Sequence, residues 1–100
     1  MLRHIVMYKL LPEAGGRTKA ENLAIAAELG KAVAAISELR GFQCGVVQEG
    51  TAETNYDIAL VCDLDDTAAL AEYKKHPAHK AFGAHCHAVC ESRAAIDYII

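Results

Sequence analysis

One phenol and two imidazoles stand within seven residues in Tyr73-Lys74-Lys75-His76-Pro77-Ala78-His79, and Lys80-Ala81-Phe82-Gly83 follows directly. Histidine takes up and returns a proton near neutral pH. A tyrosine hydroxyl can donate to an oxygen on which negative charge builds up. Together they are the minimum set for removing a proton next to a carbonyl. Pro77 closes one helical pattern and suits the first position of the next, so the motif sits at a corner between two short helices. Beyond it, His79, Phe82, Cys86, Val89 and Cys90 recur on one helical face. An imidazole in such an apolar stripe faces the sheet, where burial disfavours its charged form and keeps a neutral nitrogen available. His79 is therefore the candidate general base and Tyr73 its candidate hydrogen-bond donor. His4, on the inward side of the opening strand pattern, is placed to orient either.

Each residue also has a plainer reading. His79 can hydrogen-bond a backbone carbonyl beside Pro77, and Tyr73 can be a core tyrosine with a satisfied hydroxyl. His76, just before proline, can cap a helix end, and His4 can belong to a sheet edge. Tyr8, Tyr56 and Tyr98 read as packing. A metal site finds little support. His76, His79, His85, Cys86, His87 and Cys90 are close in sequence, but neither CxxC nor HExxH occurs. His79, Cys86 and Cys90 are spread over about 16 Å of helix, so the expected metal ligands are none. Nothing sets a base beside either thiol to make it a nucleophile, and no glycine loop is built to cradle phosphate.

The elements that must hold this corner follow from hydropathy. His4, Val6, Tyr8 and Leu10 alternate with Ile5, Met7, Lys9 and Leu11, a strand apolar on both faces. Pro12 and Gly15-Gly16 break the chain. Thr18-Lys19-Ala20-Glu21 is a capping box, and Leu23, Ala26, Leu29, Val33, Ile36 and Leu39 predict an amphipathic helix to about residue 38 or 39. Phe42 to Gln48 and Tyr56 to Cys62 predict an antiparallel pair of strands. Asp65 or Asp66 caps a short helix that ends at His76-Pro77, a second helical run reaches residue 89 or 90, and residues 93–100 close as a strand. The fold class is α+β, a ferredoxin-like split βαβ arrangement (β-α-β-β-α-β) with its second helix broken at Pro77. The sheet face away from the helices carries Ile5, Met7, Ala59, Val61 and Ile99. Such a face needs a cover, and a second copy packed sheet to sheet predicts a homodimer.

One hundred residues make a single domain, 1–100. A net charge of −3 with ten scattered basic residues argues against nucleic acid or an anionic membrane as partner. No apolar run approaches the ~20 residues of a membrane span. Met1-Leu2-Arg3-His4 leads straight into a strand pattern, which predicts no secretory leader and a cytoplasmic chain with Cys44, Cys62, Cys86 and Cys90 reduced.

The whole pattern resembles the stress-responsive A/B barrel (Dabb) family of dimeric α+β barrels. His4-Ile5-Val6-Met7-Tyr8-Lys9, Tyr56-Asp57-Ile58-Ala59-Leu60-Val61, the block Tyr73 to Gly83 and Ile96-Asp97-Tyr98 carry the likeness. Within that family the YxxHPAH block is similar to that of plant polyketide cyclases, which form olivetolic acid by a C2–C7 aldol condensation. The resemblance implies His79 as catalytic base, Tyr73 as the group polarising a carbonyl, and His4, His76 and Phe82 as substrate-binding. The cyclases carry a further pocket histidine in the third strand, where this chain has Ile58. The expectation is a small-molecule binder, or a cofactor-independent cyclase or lyase-like protein acting on a carbonyl-containing or aromatic compound, with no cofactor. The alternatives are a non-catalytic stress-response homodimer with structural histidines and, more remotely, a cofactor-independent monooxygenase or haem-binding relative.

Overall fold

The computed structural model describes residues 1–100. The elements run β1 (Leu2–Leu10), β2 (Glu13–Ala14), β3 (Arg17–Thr18), α1 (Lys19–Val33), β4 (Gly41–Val46), β5 (Ile58–Leu64), α2 (Thr67–Lys75), α3 (Pro77–Val89) and β6 (Cys90–Ile99). The main sheet is antiparallel in the order β4-β5-β1-β6, with the helices against one face. This is the ferredoxin-like arrangement that the hydropathy pattern requires, helix break at Pro77 included.

The pleat decides what is buried. Leu2, His4, Val6, Tyr8 and Leu10 of β1 point under the helices, as do Ile58, Leu60, Cys62 and Leu64 of β5. Register pairs His4 with Cys62, Val6 with Leu60 and Tyr8 with Ile58, so one continuous layer meets Phe82, Cys86 and Val89 of α3. The opposite pleat leaves Ile5, Met7, Ala59 and Val61 half-buried on the open face. One assignment changes there. Ile99 stands opposite Leu2, on the helix side, whereas Ile96 stands opposite Ile5 and Tyr98 opposite Arg3. The open face thus carries Ile96 (57% exposed) and Tyr98 in place of Ile99. Arg3 forks onto Asp63, directly across the sheet, at 2.8 and 3.0 Å.

The capping box holds: Thr18 Oγ1 accepts from Glu21 N at 3.2 Å, and Glu21 Oε1 accepts from Thr18 N at 3.0 Å. Regular α1 ends at Val33, earlier than its periodicity predicts. Ile36 N donates to Val33 O and Leu39 N to Ile36 O, so the chain continues in three-residue turns. The spacing 33, 36, 39 fits a repeat of three, which kept the apolar pattern alive after the helix had stopped. At Gly30 a Cβ would lie 2.8 Å from Cys44 Sγ; α1 therefore sits close upon β4. The break at Gly15-Gly16 is a tiny hairpin, β2 with β3, both glycines having positive φ (61° and 75°) as a tight primed turn requires. Asn22, fully buried, holds it by donating to Ala14 O and accepting from Arg17 Nε.

Asp57 fastens the entry of β5 to the end of β1. Its carboxylate accepts from Leu10 N at 2.7 Å and faces Lys19 Nζ at 3.2 Å, with the residue 7% exposed. Removing the carboxylate leaves a buried amide and a cation unpaired. Asp57→Ala is expected to cost about 2–3 kcal/mol, measured by urea unfolding; a loss under about 0.5 kcal/mol would show that water replaces the carboxylate without penalty.

Candidate functional site

A cavity of about 350 Å³ opens between β1, α3 and β6. Three residues of β1 form its floor, His4, Val6 and Tyr8, because alternation sends positions 4, 6 and 8 to the same side. Its helical wall is a line four residues apart on α3, His79, Gly83 and His87. A Cβ built on Gly83 meets no atom within 4 Å, so the wall is recessed between the two histidines. Phe82 and Leu60 close the deep end, and Lys74, Lys80 and Arg93 stand at the mouth.

His79 is half-buried, and its Nδ1 is shielded from solvent without a hydrogen-bond partner. The ring lines the cavity, with the Lys74 backbone close enough to act on it. Burial lowers the pKa of the ring below the usual histidine value; the Lys74 carbonyl opposes this, and the charges of His4, Lys74 and Arg93 reinforce it. The imidazole is thus a neutral base at neutral pH.

His4, 2% exposed, binds Asp97 on β6 through Nδ1. A carboxylate on Nδ1 fixes the tautomer that leaves Nε2 as acceptor. Tyr8 contributes the hydroxyl. It lies 3.4 Å from His87 Nε2, its ring meets Phe82 and His87 edge-on at 5.9 and 5.4 Å, and the Arg93 guanidinium lies 6.0 Å from its centroid. Burial raises the Tyr8 pKa, partly countered by Arg93, so the phenol stays a proton donor.

The structure separates the motif of the sequence. His79, His4 and Phe82 come together in the cavity. Tyr73 does not line it: the residue is 0% exposed, its hydroxyl receives the Cys62 thiol at 3.4 Å, and burial drives its pKa far above the ordinary phenol value. Its ring stands behind the two histidines, 4.7 Å from His79 and 6.2 Å from His4. Tyr73 backs the imidazoles, and the hydroxyl facing the cavity is that of Tyr8. His76 is also outside: its Nδ1 accepts from Ala78 N at 3.1 Å, capping α3. His85 Nε2 reaches the Asn22 carbonyl at 2.9 Å. With the histidines dispersed in this way, no three His, Cys, Asp or Glu side chains converge on a point that would hold a metal ion. All four cysteines are free. Cys62 and Cys86 are fully buried, and burial pushes their thiols up to about 11 and about 12.

Tyr8, His87, Gly83, Lys74, Lys80 and Arg93 had no place in the site read from the sequence. Two signals were present: the 79-83-87 spacing, which is one helix face, and the shared parity of His4 and Tyr8 on one strand. A larger hollow of about 590 Å³ lies where the open sheet face meets the 47–57 connection, lined by Met7, Val46, Tyr56 and Ala59 among others. Its carboxyl, Asp57, is already engaged by Leu10 N and Lys19.

Sheet order and one-sided helices define a ferredoxin-like α+β domain. The chain belongs to the stress responsive A/B barrel domain (Dabb) family, whose model matches residues 2–100. It is similar to a dimeric ferredoxin-like protein of unknown function from Thermobifida fusca, at 28% identity and TM-score 0.82 over 99% of this chain and 90% of that one. A Dabb family protein with a ferredoxin-like fold from Mesorhizobium loti matches at 25% identity and TM-score 0.68, over 99% and 95%. The hydroxynitrile lyase from Passiflora edulis shares the fold at 18% identity and TM-score 0.72, over 99% and 92%. No curated protein matches the sequence.

Proposed function

We propose that the protein binds a small carbonyl-containing or aromatic compound in the His79 cavity and catalyses proton transfer beside the carbonyl, as cyclase- and lyase-type reactions need. The observation that carries this reading is the His79 ring, its pKa lowered by burial and its Nδ1 without a partner, lining a cavity that Tyr8 also lines. His79 takes the proton from the carbon next to the carbonyl. The C–H electron pair moves into the new C=C bond while the carbonyl oxygen becomes an enolate oxygen, and Tyr8 donates to it. The imidazolium then returns its proton to carbon or to a departing oxygen. Base and donor are both side chains, so the step calls for no cofactor. A lyase on the same scaffold is an analogy of fold; the cavity residues carry the argument.

The test is deuterium uptake at the α-carbon of simple ketones and aldehydes in D₂O, followed by NMR with and without the protein. Uptake above the uncatalysed rate is the expected result. Ligands that bind without uptake would reduce the site to a binding pocket, and no binding at all would leave a non-catalytic dimer with structural histidines.

The assembly proposed is a homodimer, placed in the cytoplasm, where its four thiols stay reduced. Ile5, Met7, Val61 and Ile96 form an uncovered apolar face, and the Thermobifida fusca relative is described as dimeric. Ile96→Glu puts a charge in the middle of that face. Light scattering after gel filtration should show a dimer for the native chain and a monomer for Ile96→Glu; equal masses for the two would place the contact elsewhere.

No helix is long and apolar enough to cross a membrane.

A further inference from the structure

The cavity mouth is electrostatically one-sided. The chain holds ten lysines and arginines against thirteen acidic residues. Five of the ten pair with carboxylates, those of Asp63, Asp57, Glu28, Asp65 and Glu72. Lys9 and Arg17 donate to neutral oxygens instead. The three that remain, Lys74, Lys80 and Arg93, pair with no carboxylate, and all three line the His79 cavity. No aspartate or glutamate lines it with them. In a protein of net charge −3, the cations without a partner have been gathered at one opening.

Resting on the reading of His79 as the base, we propose that the ligand of this cavity carries a carboxylate as well as its carbonyl. The cavity then takes an oxo acid, its carboxylate held by Lys80, Lys74 and Arg93 at the mouth and its carbonyl directed inward to Tyr8 and His79. A low-dielectric opening lined with one sign of charge concentrates ligands of the other sign. Arginine presents the planar fork that fits a carboxylate. A phosphate fits less well. The usual phosphate seat would be the N-terminus of α3, but Pro77 has no amide hydrogen and Ala78 N is already taken by His76. The volume of about 350 Å³ also lies at the small end of ligand pockets, which favours a single ring or short chain over a nucleotide-sized carrier.

Benzoylformate, methyl benzoylformate and phenyl phosphate, titrated by calorimetry into the full chain, test this. The ester keeps the ring and the carbonyl but lacks the charge. Benzoylformate should bind at least about tenfold more tightly than the ester, a difference of about 1.4 kcal/mol. That advantage should shrink between about 0.05 and 0.5 M NaCl as screening rises. In a Lys74→Gln, Lys80→Gln, Arg93→Gln variant the acid-to-ester affinity ratio should fall towards one; Lys80→Gln alone, a change at an exposed position, should lower it severalfold. Equal affinity for acid and ester in the native chain overturns the carboxylate while leaving the carbonyl reading intact. Tighter binding of phenyl phosphate overturns the choice of anion. Binding of none of the three overturns this inference and the proposed function together.

Discussion

His79→Gln is expected to slow α-proton exchange of a ketone such as acetophenone by about 10²–10⁴-fold, the usual contribution of a positioned base. Glutamine keeps polarity and approximate size, so the cavity survives while the titrating nitrogen is lost. The pH profile gives an independent readout. Burial and the nearby charges lower the folded pKa of His79 below its usual value, so the base stays deprotonated at a pH where an ordinary histidine is largely protonated. Native activity should therefore persist below pH ~6.5 before falling, instead of halving there. The same shift has a sign for stability. Between the folded and unfolded pKa values the unfolded chain binds the extra proton, so stability is complete above the unfolded value and declines as pH falls towards the folded one. His79→Gln should remove that part of the pH dependence. A rate and pH profile unchanged by the substitution would assign the base to another group, with His4 and its carboxylate partner next in line.

Phe82→Ala is expected to cost about 3–5 kcal/mol, the range for truncating a buried aromatic. The ring is 1% exposed, meets Tyr8 edge-on at 5.9 Å and lies 3.4 Å from the point a Gly30 Cβ would occupy. It thus fills the space where α1, α3 and β1 meet. Against a total stability of about 5–15 kcal/mol this approaches unfolding, and a urea midpoint measures it. Phe82→Leu, which restores most of the volume, should recover more than half of the loss. If Phe82→Ala costs under about 1 kcal/mol, the ring merely borders the cavity and the core holds without it.

The fold was legible because its signals are local and repeated. Alternating inward positions from His4 to Leu10, a capping box at Thr18 and a proline at 77 each name one element. The two-residue strands around Gly15-Gly16 were not legible, since two residues carry no period. Half of the site was legible for the same reason: His4 and His79 could be assigned to inward faces. The choice between Tyr73 and Tyr8 could not be made that way. Both sit at inward positions of amphipathic elements. Their difference is one of depth: Tyr73 is sealed between helix and sheet against Cys62, and Tyr8 lies beside edge strand β6, where Arg93 and Asp97 are exposed. Which side of a sheet edge a helix leaves uncovered depends on how the helices pack, and no single segment encodes it. The unpaired cations were invisible for a related reason, because pairing is a property of three-dimensional neighbours.

The two innermost thiols have a consequence for oxidation. Peroxides and alkylating reagents attack the thiolate, and at Cys62 and Cys86 that form is suppressed by several orders of magnitude at neutral pH. In an oxidising burst these sulfurs are consumed in molecules that have already opened, while closed ones are spared. Their modification therefore records how often the fold comes apart.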